Sequence, residues 1–405
     1  MKSAWLLFLS FGIILILSGC SFFQDQDEEN LPAKLVAYKD NLDLKQLWKT
    51  KVGKGSELLH LSLFPSGNDD KVFMASHNGN VAAYHPLTGK VFWKVNLEID
   101  LTSGPAYGEE RVIVYGKDGE LICLRAEDGS EVWRTHIKGE SVAIPLVADN
   151  NVVIHTIDGQ IRSFSIFDGS ERWAVTQDMP ALTLRGSSTP IVLGNNVIAG
   201  FDNGRMMSID IEAGMVIWES MLSPASGRSD LDRLSDIDGV IKNVGQDIYA
   251  VGYQSQLASI AAESGQLIWS KELSSEAGVE IDDNYIYAVT DEGDLVGMSR
   301  KDGTEIWRKK VLLRREVTAP TKYKSTIVVG DFEGYVHFFD HETGELVSRR
   351  RVGKGAISGS PVVIGDYLYV QNESSEVTVF FIPVTEDIDS FQSNNLGEPK
   401  PIWLW

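Results

Sequence analysis

Seven histidines are the natural place to look for catalysis, and their spacing argues against it. His60, His77, His85, His136, His155, His337 and His341 are scattered, and no His-Glu-x-x-His pair occurs. His337 and His341 are four apart but flank the end of a predicted strand and a turn, so they do not form a helical ligand pair. No Gly-x-Ser-x-Gly elbow is present, and Gly353-Lys354-Gly355-Ala356 lacks the rest of a phosphate loop. Carboxylates such as Asp118 and Asp158 stand before glycines, where turn formation is sufficient explanation. Arg349-Arg350-Arg351 is the one dense basic run; it reads as a solvated outer strand, with an anionic contact as the alternative. Of two cysteines, Cys123 lies in the apolar run Leu121-Ile122-Cys123-Leu124 and reads as a small core residue. These residues predict no catalytic set, no metal and no cofactor.

Chemistry of another kind is expected at Cys20. Lys2 precedes an apolar run from Ala4 to Leu17, followed by Leu17-Ser18-Gly19-Cys20. A charge, a short apolar stretch and small residues describe a secretory signal over residues 1–19. The run is short and weakly flanked for a membrane-spanning helix. Leu-Ser-Gly-Cys resembles the bacterial lipobox, which implies cleavage before Cys20 and lipid on its thiol. Cys123 then has no disulfide partner. Ser21, where Asp would imply retention in the inner membrane, implies the outer membrane. Residues 20–41, with Asp25, Asp27, Glu28 and Glu29, read as the lipidated cysteine and a flexible tether; about 20 such residues span roughly 25 Å.

The rest of the chain must supply a scaffold. The whole chain of 405 residues is 43% apolar and 23% charged, an ordinary globular composition that excludes a disordered chain or a polytopic membrane protein. Its net charge of −20 makes it a poor nucleic-acid binder, since phosphates demand a basic footprint. Loss of Lys2 with the signal would leave −21.

Tryptophan exposes an internal repeat. Trp48, Trp93, Trp133, Trp173, Trp218, Trp269 and Trp307 share one context, mostly Gly-x-x-x-Trp, and Gly344-Glu-Leu-Val-Ser348 is an eighth copy with Ser in place of Trp. The spacings are 45, 40, 40, 45, 51, 38 and 41 residues. In phase with them run polar turns with glycine at Asn78-Gly79, Asp118-Gly119, Asp158-Gly159, Asn203-Gly204, Glu292-Gly293 and Glu333-Gly334, with degenerate copies at Gln254-Ser255 and Ser374-Ser375. Asn-Gly and Asp-Gly between apolar runs predict type I′ hairpins, whose two central residues need φ > 0. In the second unit the strands fall near 104–107, 112–115, 120–124 and 131–135. Four strands per unit of about 40 residues predict an all-β, eight-bladed β-propeller of antiparallel blades over residues 42–382. Seven units are whole. The eighth has three strands within 358–382, and residues 42–52 are expected to supply its fourth, which closes the ring and removes free edges. The tryptophans are expected to wedge between blades, each burying about 150–250 Å². Ser348 marks an expected weak unit, where a Trp would stabilise if space allowed.

The repeat resembles that of pyrroloquinoline-quinone dehydrogenases, but the adjacent cysteines and calcium-binding carboxylates of those enzymes are not found. Lipobox and eight repeats together resemble the family of outer-membrane assembly factors called BamB, the B subunit of the β-barrel assembly machinery, over about residues 1–382. The sharpest matches are Leu182-Thr183-Leu184-Arg185-Gly186 and Leu231-Asp232-Arg233-Leu234-Ser235-Asp236-Ile237-Asp238. The resemblance implies a non-enzymatic scaffold lipoprotein on the periplasmic face of the outer membrane. It implies that Leu182, Leu184, Arg185, Asp236 and Asp238 contact a polypeptide-transport-associated domain of the barrel subunit, BamA, and leaves open contact with nascent outer-membrane proteins. A lipid-anchored quinoprotein-like enzyme or solute-binding propeller is the alternative.

Geometry adds a check that needs no family. In a four-stranded blade the turn between second and third strands shares a face with the link to the next blade. Residues 177–189 and 221–239 are successive links, so they must be neighbours on one face, and long loops on a rigid scaffold commonly bind. Residues 383–405, ending Pro401-Ile402-Trp403-Leu404-Trp405, read as a tail beyond the last blade.

Overall fold

Apolar runs of five or six residues, broken every ten or so by glycine turns, have one stable solution here: small antiparallel sheets stacked face to face around an axis. A computed structural model describes residues 31–56, 59, 61–179, 188–222, 241–252 and 255–383. Eight sheets stand at 66–96, 101–136, 146–176, 191–221, 242–272, 279–309, 321–351 and 362–381, here called blades one to eight. Within each blade the strands run outward in chain order, and the first strands of neighbouring blades meet around the axis. The second and third strands are mostly buried on both faces, while the fourth strands alternate between exposed and buried positions. Ser62–Leu63 adds a short parallel strand to the inner edge of blade two.

Ring closure follows the expected route. Lys45–Lys51 pairs antiparallel with Glu376–Phe381 and completes blade eight, so the two ends of the propeller share one sheet.

The turns joining second and third strands differ from expectation. Gly79, Gly119, Gly159, Gly204, Gly293 and Gly334 have φ between 74° and 96°, but the residue before each does not share the left-handed region. The glycine N–H instead bonds back three residues, as from Gly119 to the Gly116 carbonyl at 3.1 Å. This is a right-handed turn followed by one left-handed residue, a longer connection than the two-residue type I′ loop. Paired positive φ values occur instead at Glu109-Glu110 and Asp149-Asn150, which join first and second strands. At the degenerate turn, Ser375 takes the glycine's conformation with φ 57°. Gln254 lies outside the described residues.

The Gly-x-x-x-Trp motif proves to be two halves of a contact between adjacent blades. Gly89, Gly129, Gly169, Gly214, Gly265, Gly303 and Gly344 have φ of 67–74° and close the outer turn. Against each packs the tryptophan of the preceding blade: Trp48 on Gly89, Trp93 on Gly129, and so on to Trp307 on Gly344. A Cβ at these glycines would lie 2.5–2.8 Å from an indole carbon. Glycine is therefore required twice, for the backbone conformation and for the close approach. Six indoles also donate their N–H to a carbonyl of the next blade, for example Trp133 to Ile166 at 2.8 Å and Trp173 to Ile211 at 2.8 Å.

Blade seven shows why one copy lacks its tryptophan. The residue paired with each Trp on the third strand is usually small: Ala83, Cys123, Ser163, Ser208, Ser259 and Gly297. In blade seven the pair is reversed, with Phe338 opposite Ser348, both fully buried. Phe338 meets Phe380 of blade eight edge to face at 6.2 Å. Ser348→Trp should therefore overfill the site and cost about 1–3 kcal/mol, contrary to the sequence expectation. Phe338→Ser combined with Ser348→Trp should recover part of that loss. Urea denaturation of the three variants reads both effects; equal stability of parent and single variant would refute the exchange.

The N-terminal segment also departs from expectation. Residues 31–41, assigned from sequence to a flexible tether, run along the outer strand of blade seven. Ala33 N–H donates to the Leu313 carbonyl at 2.9 Å and Asn41 N–H to that of Val347 at 3.0 Å. Arg349 stacks on Tyr38 with its guanidinium 4.9 Å from the ring centre, and Arg350 pairs with Asp40 at 2.8 Å. The arginine run is thus partly covered by its own chain. A polar segment on a sheet edge carries no hydrophobic period, and only the folded edge reveals its place.

Candidate partner-binding face

One face of the ring carries the inter-blade links and the glycine turns joining second and third strands. Within a blade the two are stitched together: Gln177 N–H donates to the Gly159 carbonyl and Leu222 N–H to that of Gly204, both at 2.9 Å. Residues 180–187 and 223–240 of the two candidate links lie outside the described residues, and with them Leu182, Leu184, Arg185, Asp236 and Asp238. Cys20 and the tail beyond residue 383 lie outside as well. The structure does describe the feet of these links, which belong to one face of neighbouring blades.

Around the feet the side chains are tightly tied. Ser188 is fully buried, and its hydroxyl exchanges hydrogen bonds with the Gly200 backbone at 3.0 Å. Its carbonyl accepts from His155 Nδ1 at 3.0 Å. A carbonyl only accepts, so Nδ1 carries the proton. His155 is 1% exposed and meets Phe201 edge to face at 5.1 Å. Burial pulls its imidazole down to about 4, against the smaller opposing effects of the Ser188 carbonyl and Asp158.

A neutral buried histidine makes stability depend on pH. Above the unfolded value near 6.5 neither state binds the proton, and nothing is lost. Below it the unfolded chain binds a proton that the native chain refuses, so stability falls as pH drops from about 6.5 towards 4. For His155 that loss should approach about 3 kcal/mol at pH 4. Denaturation midpoints at pH 7.5, 5.5 and 4.5 test this, and His155→Leu should flatten the slope over that window. An unchanged slope would reject the assignment.

A second buried cluster sits where blade six passes to blade seven. Arg315 donates to Asp331 Oδ2 at 2.9 and 2.8 Å, pairs with Glu333, and donates to the Ala33 carbonyl at 3.0 Å. His337 Nε2 donates to the same Asp331 oxygen at 2.9 Å. His341 is spent elsewhere, near Tyr287 at 3.2 Å. On the axis a cavity of about 690 Å³ opens, with Glu276, Asp291, Glu292, Glu316 and Glu373 among its lining residues and Arg314 beside them. Among the described residues no three His, Cys, Asp or Glu side chains converge as a metal-ligand set. Cys123 is fully buried opposite Trp133, and burial pushes its thiol up to about 12.

Trp93, Trp133, Trp173, Trp218 and Trp307 are 8–9% exposed, and Trp48 and Trp269 are half-buried. All seven face the next blade's glycine rather than the cavity. His155 and Asn203, which tie the link between blades three and four, were missed from sequence. Asn203 sits in the glycine-turn repeat, and His155 hides in the apolar run Val152-Val153-Ile154-His155.

Comparison with known proteins agrees with this architecture. The family described as outer membrane protein assembly factor BamB matches residues 77–309. A curated BamB of Pseudomonas aeruginosa is 43% identical over 381 residues, covering 94% of this chain and 99% of its own. The BamB of Escherichia coli K12 is 33% identical, covering 90% and 95%. The crystal structure of BamB from Moraxella catarrhalis superposes with a TM-score of 0.77 at 28% identity, covering 84% of this chain and 99% of that one. A quinohemoprotein alcohol dehydrogenase from Comamonas testosteroni shares the fold alone, with a TM-score of 0.68 at 13% identity. With a glycine–tryptophan propeller closed by its own N-terminal strand and relatives matched along nearly their whole length, this chain belongs to the BamB family of outer membrane protein assembly factors.

Proposed function

We propose that this chain serves assembly of outer-membrane β-barrel proteins as a non-enzymatic binding scaffold. Similarity to assembly factors along nearly the entire chain carries the reading. The physical support is a closed ring whose blades are locked by indoles, with the described feet of two long links on one face of neighbouring blades. Through Leu182, Leu184 and Arg185 on one link, and Asp236 and Asp238 on the other, the face docks on a periplasmic domain of BamA. Apolar anchors beside an arginine suit an interface centre. Lipid on Cys20 anchors the chain to the periplasmic face of the outer membrane.

Arg185→Ala and Leu182→Ala should leave the fold intact and each weaken association with the BamA periplasmic domains by about 2 kcal/mol, roughly thirtyfold. Calorimetric titration measures this, and parental binding by both variants would reject the patch while leaving the propeller untouched. Intact mass of membrane-extracted protein reads the anchor; a mature chain starting elsewhere than Cys20 would remove it.

A further inference from the structure

The arginine run of blade seven belongs to a wider segregation of charge. The outer strands of blades six, seven and eight carry eight Lys or Arg and one acid, Glu305, whereas those of blades one to five carry four of each. A chain of net charge −20 thus keeps one side of its rim basic. Blades seven and eight also leave their outer strands through matching residues, Arg351-Val-Gly-Lys354-Gly355 and Lys51-Val-Gly-Lys54-Gly55, which no other blade repeats.

Packing explains how this motif presents its cations. Val52 and Val352 are buried, and each N–H donates to a turn of its own blade, at the Ser375 carbonyl (3.0 Å) and the Gly334 carbonyl (2.9 Å). A Cβ at Gly53 would collide with Ser76 of blade one, and one at Gly353 with Asn372 of blade eight. Lys54 N–H donates to Asn78 Oδ1 at 2.9 Å. With valine and glycine packed inward, Lys51, Lys54, Arg351 and Lys354 stand exposed where the links leave. Lys49 joins the two blades there, donating from blade eight to the Val352 carbonyl at 2.8 Å. Nearby acids are engaged elsewhere: Glu376 pairs with Lys49, Glu333 with Arg315, and Glu373 lines the axial cavity. Among the described residues none of the four exposed cations is in a salt bridge.

The chain enters the ring at the same edge. Residues 31–41 lie along blade seven, held by Arg349 and Arg350, and Arg315 holds Ala33 while pairing with Asp331. Asp331 N–H donates to the carbonyl of Tyr335, whose ring Arg351 covers at 5.2 Å. Entry point and basic rim therefore share one turn. Cys20 is eleven residues before Leu31, a reach of at most about 40 Å.

We propose that the rim of blades seven and eight rests on a bilayer containing anionic phospholipid, so that this edge of the ring faces the membrane. This rests on the reading above that lipid on Cys20 anchors the chain; that short leash selects a lipid surface over an acidic polypeptide. Each Lys or Arg near an anionic surface strengthens binding about fivefold. The acids of blades two to five do not cancel this. At a sheet spacing of about 10 Å they stand beyond the screening length of about 8–10 Å.

Vesicle flotation tests the rim, using residues 20–405 with Cys20→Ser so that lipid cannot carry the binding. This chain should float with phosphatidylcholine vesicles containing phosphatidylglycerol, stay behind with phosphatidylcholine alone, and be released as salt rises. Arg351→Gln with Lys354→Gln should weaken the partition about twenty- to thirtyfold. Lys117→Gln with Lys138→Gln, at blade two, should leave it unchanged. All four sites are exposed, so the fold should tolerate the changes. Equal binding to both vesicle types, or parental binding by the Arg351→Gln, Lys354→Gln chain, would overturn the proposal. So would capture of polyglutamate without vesicle binding, which would make the partner an acidic polypeptide. A lipidated parent whose Cys20→Ser form ignores anionic vesicles would overturn the rim and keep the anchor. An unlipidated parent that still floats would support the rim and remove the anchor.

Discussion

Trp133→Ala should lower the free energy of unfolding by about 3–5 kcal/mol, the range for emptying a buried aromatic site. The indole is 8% exposed, packs on Gly169 and donates to the Ile166 carbonyl at 2.8 Å. Its removal opens a cavity between blades two and three and leaves that carbonyl without its partner. Neither loss can relax locally, because Gly169 is held at φ 70° by the outer turn and Cys123 opposite is too small to fill the space. Guanidinium denaturation measures the effect, and a loss under about 1 kcal/mol would refute the wedge. Gly169→Ala should be damaging for the reciprocal reason, since its Cβ would sit 2.6 Å from the same indole.

Arg315→Met should be as costly, about 3–5 kcal/mol, because it strands a buried carboxylate. Arg315 is 3% and Asp331 0% exposed. Burial pushes the Asp331 carboxyl up, but hydrogen bonds from His337, Tyr335 and Arg315 hold it below the usual carboxylate range. Its stabilising contribution is therefore present above the unfolded carboxylate value and is lost as pH falls through the lower native one. With Arg315 gone, Asp331 keeps His337 and two backbone N–H groups, and the Ala33 carbonyl loses its donor. Global stability should fall, and amide exchange in residues 31–41 should quicken. Adding Asp331→Asn to Arg315→Met should restore part of the stability, since a neutral amide costs less to bury unpaired than a charge. A single variant as stable as the parent would show that the cluster contributes nothing.

Much of the architecture was legible because a repeat announces itself. Seven tryptophans at a period near 40, with glycine turns in phase, determined the blade count, and an orphan fourth strand at the N-terminal end, facing a last unit of only three strands, determined the closure. The same signals did not say what the tryptophans touch. Each indole meets a glycine 34–47 residues further along, on the next blade, and stacking in space sets that partner.

Blade seven marks the boundary most plainly. Sequence shows a missing Trp at Ser348; only strand register shows Phe338 filling the same volume from the neighbouring strand. Residues 31–41 look like linker because an extended edge segment needs no apolar period, and its place depends on Arg315, Arg349 and Arg350, some 280 or more positions away. The glycine turns were located correctly but their type was not, because an Asp-Gly pair fits several backbone paths and loop length chooses among them. His155 lies in what reads as a plain strand. Its grip on Ser188 exists only once blade three and the following link are folded together. Composition, period and turn chemistry are local and survive in the string of residues, so they determined the propeller and its closure. Contacts between blades join residues far apart in the chain, so the wedges, the exchanged pair in blade seven and the strapped edge were decided by tertiary packing.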